Sequence, residues 1–352
     1  MKMRAVVIDK TVVKTNLAVI RERAGFVRLM ADLSANGQGM GLMNAAGICA
    51  EDGVNDFAVT EMRDAAALRE AGFTDSSILM LRSVTETEEL KELMALNVIF
   101  TVGSYDASIA LNSLAEGRGA PAEAMIRIDT GFGQYGFQSE ETDKILNVYQ
   151  RMKGIAVTGL YTRIAPMKNA KLAKAQADEF IACVTKLQEQ GIDTGLLMAL
   201  DPAAQKRWDF GERSCMCFGP AMIGRAPNGG KELTRTGYIE ASLEEIDWAA
   251  KGKNAGHDLN RKMGRTEQTA RLDVGWYNGV GLSGERQRTS VFRCQADPVI
   301  KVGGRKAAIL GGIDATSIVL DVSRCECSPG SVAVIDADPR LVKGLPIVIR
   351  QS

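Results

Sequence analysis

The sequence predicts an α/β + β protein: an N-terminal (β/α)8 barrel of the TIM type over residues 1–225, followed by a C-terminal all-β domain over 226–352. Three observations predict it. Apolar β-like runs alternate with amphipathic helical stretches up to residue 225. About eight such strand–helix units fit that length, which suits a closed barrel better than an open sheet. Beyond residue 225 the helical period fades, and short strands with glycine turns take over.

The chain opens on a short apolar strand ending at Asp9, and this strand, residues 3–9, is a candidate to pack with the C-terminal domain. Phe57 to Thr60 reads as a strand followed by a helix from Glu61 to Ala71, and Ser77 to Leu81 as a strand followed by a helix from Glu86 to Leu96. Val98 to Val102 precedes Tyr105 to Leu114, and Ala124 to Asp129 precedes Ser139 to Met152. Val157 to Thr162 leads into Ala170 to Gln190, and Gly195 to Ala199 follows. Continuous apolar strands between helices are what a parallel sheet buried on both faces requires. In such a barrel, chemistry belongs at the C-terminal strand ends. The later strands are expected at Arg271 to Val274, Val291 to Cys294, Ile309 to Val322, Ser331 to Asp336 and Leu345 to Ile349. Asn228 to Gly264, with paired glycines and few apolar pairs, reads as loop-rich.

Composition excludes several functional classes. Lys plus Arg and Asp plus Glu both number 43, so no charge excess favours a nucleic-acid or membrane surface. No segment approaches the roughly 20 apolar residues of a membrane span, and Met1 to Arg4 leads into a strand, not a signal-peptide core. A cytoplasmic location is expected. Seven cysteines, an odd number, fit reduced thiols.

The catalytic inventory is thin. His257, the only histidine, leaves nothing for a Ser/His/Asp triad or a multi-histidine metal site, and reads as a solvent-facing loop residue. Cys215/Cys217 and Cys325/Cys327 are C-x-C pairs without zinc-knuckle spacing, and strand alternation places both thiols of a pair on one face for packing alone, so no metal is expected. Asp129-Thr130-Gly131-Phe132-Gly133 lacks the lysine and spacing of a phosphate loop and reads as a tight βα turn.

Several of these loops follow the order of one family. Val7-Ile8-Asp9 with Asn16-Leu17 is similar to "IDLxALxxNL", and Phe57 to Thr60 with Ala67 to Gly72 to "VATxxEALxLREAG". Ile128 to Gly131 is similar to "KIDTG", Gly159 to Thr162 to "GxxTH", and Gly219 to Gly224 to "RPGIALYG". Val274 to Gly279 is similar to "GYADG", and Asp314 with Asp321 to "MDxxxxD". Collinear over nearly the whole chain, these motifs resemble the alanine racemases, pyridoxal-phosphate enzymes of fold-type III with a barrel and a β domain.

The resemblance implies a site whose scaffold residues match while its chemical ones do not. The family's "KADAYGHG" falls on Met30 to Gly37, which puts Met30 at the Schiff-base lysine, Ser34 at a phosphate-binding tyrosine and Asp32 and Asn36 in the same loop. A thioether neither condenses with an aldehyde nor carries a proton. Trp276 falls at the tyrosine that acts as the second base, and an indole N–H does not titrate usefully. Tyr277 could replace it only through a one-residue strand slip, which would turn it to the opposite face. Cys217 falls at the arginine facing the pyridine nitrogen, with Gly219 beside it, and Pro220 at a phosphate-contacting N–H. Asp201 takes the place of a phosphate-binding serine and Ile349 that of a tyrosine. Arg127, Gln134 and Arg163 stand for a lysine, an arginine and a histidine, and Ile313 and Asp314 complete the pocket candidates.

On this reading pyridoxal phosphate is not expected, and the chain is a racemase-like protein with a ligand-binding, scaffold or regulatory role. Two alternatives are cofactor-independent chemistry at the barrel mouth, using Asp32, Asp201, Arg127 or Arg163, and a residual amino-acid racemase. Arg127 and Arg163, if both point inward, suit a small anionic ligand; pairing with Asp129, Asp201 or surface acids is the alternative. The resemblance implies a head-to-tail homodimer.

Overall fold

A computed structural model of the chain describes residues 3–164, 169–200, 213–225, 232–258, 261–282 and 298–351. Strand β1 (Arg4–Asp9) runs straight into helix α1 (Lys10–Ala24), whose buried Val13, Leu17 and Ile20 recur at helical spacing. Eight parallel strands then form the barrel: β2 (Arg28–Asp32), β3 (Phe57–Val59), β4 (Ile78–Ser83), β5 (Ile99–Val102), β6 (Ala122–Asp129), β8 (Ile155–Thr162), β9 (Leu196–Ala199) and β10 (Ser214–Phe218). A two-residue strand, β7 (Phe137–Gln138), flanks β6. Around the sheet the order is β5, β4, β3, β2, β10, β9, β8, β6, and pairing of Phe100 with Ala124 between β5 and β6 closes it.

The connecting helices are α2 (Leu42–Glu51), α3 (Met62–Glu70), α4 (Thr87–Ala95), α5 (Tyr105–Ala115), α6 (Thr142–Arg151) and α7 (Ala170–Glu189). The starts of α4 and α5 are capped by side chains suited to orphan N–H groups. The Glu86 carboxylate accepts from the N–H of Glu88 and Glu89, and the Ser104 hydroxyl accepts from that of Ala107 at 3.1 Å. No described helix is long and apolar enough to cross a membrane.

The second unit is mostly β. It contains β11 (Tyr238–Ser242), β12 (Ile246–Ala249), β13 (Asn254–Ala255), β14 (Arg261–Lys262), β15 (Glu267–Leu272), β16 (Ile300–Val302), β17 (Arg305–Ile309), β18 (Ile318–Asp321), β19 (Val332–Asp336) and β20 (Ile347–Arg350). The main sheet runs β12-β15-β18-β17-β16-β19-β11-β1-β20, while β13 and β14 pair alone. Strand β1 thus belongs to this sheet, antiparallel to β11 and parallel to β20. Its alternating inner residues, among them Ile239, Ala241, Leu272, Leu320 and Ile335, make one core.

Two expectations change here, and a third is untested. Asn228 to Gly264 is not loop throughout, because β11 and β12 lie within it, and β11 alternates buried and half-buried residues as a sheet strand does. The run Ile309 to Val322 is two strands, not one, since Gly311 at φ +69° turns the chain where any Cβ would lie 2.9 Å from the Gly256 Cα. The expected strand Val291 to Cys294 lies outside the described residues.

Candidate functional site at the barrel mouth

Strand alternation stacks the barrel interior in layers. Met30, Ala58, Leu79, Leu81, Met125, Tyr161, Met198, Cys215 and Cys217 pack into one buried cluster. Two residues further along the same strands, on the same face and toward the C-terminal rim, stand Asp32, Arg127 and Gly219.

Met30 is 1% exposed and lies opposite Cys217 in the β2–β10 register. Its thioether touches apolar and sulfur neighbours and offers no amine. Burial pushes the Cys215 thiol up to about 12, and burial followed by the nearby Asp32 charge pushes Cys217 well above the ordinary thiol range. Both stay neutral thiols at neutral pH.

Beyond Asp32 the chain makes a left-handed turn, with φ of 55° at Ala35, 57° at Asn36, 61° at Gly37 and 56° at Gln38. Side chains in this conformation cost about 1–2 kcal/mol each, and the local bonds that offset it are specific. The Asp32 carboxylate accepts from the Ser34 N–H at 2.9 Å, Gln38 Nε2 donates to the Asp32 carbonyl at 3.0 Å, and Asn36 Oδ1 accepts from the Leu42 N–H at 3.0 Å. The Ser34 hydroxyl is buried and finds no partner among the described residues. Gly219 backs this turn: a Cβ there would lie 2.8 Å from Gln38 Nε2 and 3.0 Å from Asp32 Oδ2.

Arg127 is 3% exposed. Its Nη2 donates to Gln134 Oε1 at 2.9 Å, its guanidinium lies 4.1 Å from the Tyr135 ring centroid and 5.9 Å from that of Tyr161, and its buried Nε finds no acceptor. The pairing with Asp129 that the sequence left open is not formed. Asp129 Oδ1 instead accepts from the N–H groups of Gly131, Phe132 and Gly133 at 3.1, 2.8 and 3.3 Å, closing the tight βα turn. Arg163 is exposed and lies over the Phe132 ring at 5.2 Å, so the two arginines do not share one buried mouth.

Two residues of this region escaped the sequence reading. Tyr161 fills the barrel interior, its hydroxyl 2.8 Å from Thr101 Oγ1 and donating to the Leu81 carbonyl at 3.3 Å. The Tyr135 hydroxyl donates to the same carbonyl. Only two signals pointed to them: Tyr161 lies two residues before Arg163 on its strand face, and Tyr135 is an aromatic among the glycines of 131–136.

The remaining candidates lie in the β unit. Trp276 and Tyr277 are 47% and 53% exposed on a 3-10 turn, Trp276–Asn278, whose first two N–H groups donate to the Asp314 and Ala315 carbonyls at 2.9 Å. The expectation that a strand turns Tyr277 away from Trp276 is therefore corrected, because a turn has no two-residue alternation and leaves both rings exposed. Asp314 Oδ1 lies 3.4 Å from Nε2 of His257, a half-exposed loop residue as expected. Ile313 packs against the β core, and Ile349 lies opposite Ile8 in the β1–β20 register. Asp201 lies outside the described residues. Cys325 and Cys327 sit in a turn, not on a strand as alternation required, and no cluster of three potential metal ligands occurs among the described residues.

Residues 8–205 match the family described as alanine racemase, N-terminal domain. An alanine racemase of Desulforamulus reducens is 24% identical over 326 residues, 90% of this chain and 84% of that protein. The alanine racemase of a D-cycloserine-producing Streptomyces lavendulae has the same fold at a TM-score of 0.85 and 18% identity, over 100% of this chain and 98% of its own. That of Bartonella henselae, solved with covalently bound pyridoxal phosphate, matches at 0.81 and 16% identity over 99% of each chain. The expectation that no pyridoxal phosphate belongs here is overturned, since the chain falls in a family whose Bartonella henselae racemase is solved with that cofactor covalently bound. The narrower chemical fact stands that Met30 has no amine through which to hold it. The chain belongs to the alanine racemase family.

Proposed function

We propose that this member of the alanine racemase family does not racemise amino acids through residue 30, and that it works by binding a small ligand at the barrel mouth. The observation that carries the reading is Met30. The motif resemblance sets it at the Schiff-base lysine, and its side chain is buried among Ala58, Met125, Tyr161, Met198 and Cys217. In this family pyridoxal phosphate supplies the electron withdrawal that acidifies the Cα–H of an amino acid. A thioether forms no imine, so residue 30 offers no point of covalent attachment. What the rim offers instead is binding chemistry: a buried guanidinium at Arg127, its Gln134 partner, and the Asp32 turn beside Gly219.

The same resemblance supports a head-to-tail homodimer, and a monomeric mass by light scattering at micromolar concentration would remove that part of the proposal. The central test incubates the purified chain with pyridoxal phosphate and L-alanine and separates the enantiomers by chiral chromatography. The expected result is no D-alanine above the protein-free control. Protein-dependent D-alanine that disappears on heat denaturation would overturn the reading.

A further inference from the structure

We infer that Cys325 and Cys327 form a two-thiolate clamp for a soft monovalent metal ion, copper(I), carried on the β unit and separate from the barrel mouth.

Cys325 and Cys327 follow strand β18 in a turn; both are free, and both pack against the β core while remaining half-buried. Between them Glu326 points away, its side chain 93% exposed. Two cysteines turned to the core side of one segment, with an outward residue between them, present their thiols on the same side. Burial first and then the neighbouring Cys327 raise the Cys325 thiol, which marks the two sulfurs as near neighbours. Cys215 and Cys217 share the spacing but are sealed in the barrel at 0% and 3% exposure. An ion can reach only the turn from solvent.

The segment is held in place before any ion arrives, which lowers the ordering cost of binding. The Cys325 N–H donates to the Val322 carbonyl at 2.8 Å, and Arg305 Nη1 donates to the Arg324 carbonyl at 3.1 Å. Beyond the pair, the Ser328 N–H donates to the Ser331 hydroxyl at 3.0 Å. The Glu326 carbonyl rests on the turn at Gly303, where a Cβ would come within 3.0 Å of it.

Ligand number selects the ion. No cluster of three potential metal ligands occurs among the described residues, so the four-ligand shell of structural zinc is not completed here. Thiolates favour soft ions, and a filled-shell monovalent ion is satisfied by two of them. Loading releases both thiol protons and leaves one net negative charge on the complex. Arg305, beside Cys325 and 3.8 Å from Glu326, offsets that charge against the opposing field of Asp321.

Anaerobic titration of the full chain with copper(I) under ascorbate, in competition with a chromophoric copper(I) chelator, tests this. One tightly held equivalent is expected, with a sulfur coordination number of two by X-ray absorption and no displacement by excess zinc(II). That equivalent should be lost in Cys325→Ser/Cys327→Ser and kept in Cys294→Ser, with circular dichroism verifying that each variant is folded. No tight equivalent, a full equivalent in the folded double variant, displacement by zinc(II), a third or fourth sulfur on the metal, or loss of binding in Cys294→Ser would each overturn the assignment.

Discussion

Around Met30 the barrel interior is closed by thioether, thiol and phenol side chains, whereas two residues further along the same strands the wall carries Asp32, Arg127 and Gly219. The inner layer satisfies itself: Met30 packs on Cys217, and the Tyr161 hydroxyl bonds to Thr101 and Leu81. The outer layer does not, for the Arg127 Nε and the Ser34 hydroxyl are buried without partners among the described residues. Buried polar groups are normally paired, so an outer layer with orphans above an inner layer without them divides binding from packing.

The sharpest way to break that division is to open the inner layer. Met30→Ala should cost about 2–5 kcal/mol through the cavity it leaves, and Met30→Leu less than about 1.5 kcal/mol, both measured by urea denaturation. A small loss for the alanine variant would mean that residue 30 borders open space. At the rim, Gly219→Ala forces a Cβ into Gln38 and Asp32 and should cost about 1–3 kcal/mol. Unaltered stability there would show that the left-handed turn yields freely. Tyr161→Phe removes a hydroxyl bonded to Thr101 and Leu81 and should cost about 1 kcal/mol, read from the same denaturation curves.

A further effect is alkaline. An unfolded thiol titrates near 8.5, and folding holds Cys215 and Cys217 protonated to higher pH. Their contribution is therefore fully present below about pH 8.5 and is lost as pH climbs toward the folded values. A Cys215→Ala/Cys217→Ala variant should lose stability less steeply than the native chain from about pH 8 to pH 10. Equal slopes would contradict the burial of these thiols.

Much of the barrel was legible because strands buried on both faces are written as continuous apolar runs, and those at Phe57 and Val98 form strands of the barrel. Strand β10, Ser214–Phe218, was not, since Ser-Cys-Met-Cys-Phe has no β-branched residue to mark it. At Trp276 a motif resemblance suggested a strand where the glycines at 275 and 279 make a turn. The Arg127 site was half legible. The arginine stood out by type, but its contacts with Tyr135 and Tyr161 depend on strand β8 pairing with β6 and on a loop folding back, neither of which local patterning encodes.

The claim that residue 30 serves packing and not proton transfer meets its most direct test in α-proton exchange. Alanine is incubated in deuterium oxide with the chain and pyridoxal phosphate, and the loss of its Cα–H signal is followed by proton NMR. Exchange requires only one competent base, so it detects even half of a racemase. The account predicts a rate no greater than that of the cofactor alone, for the native chain and Met30→Leu alike; exchange accelerated by the native chain and lost in Met30→Leu would contradict it.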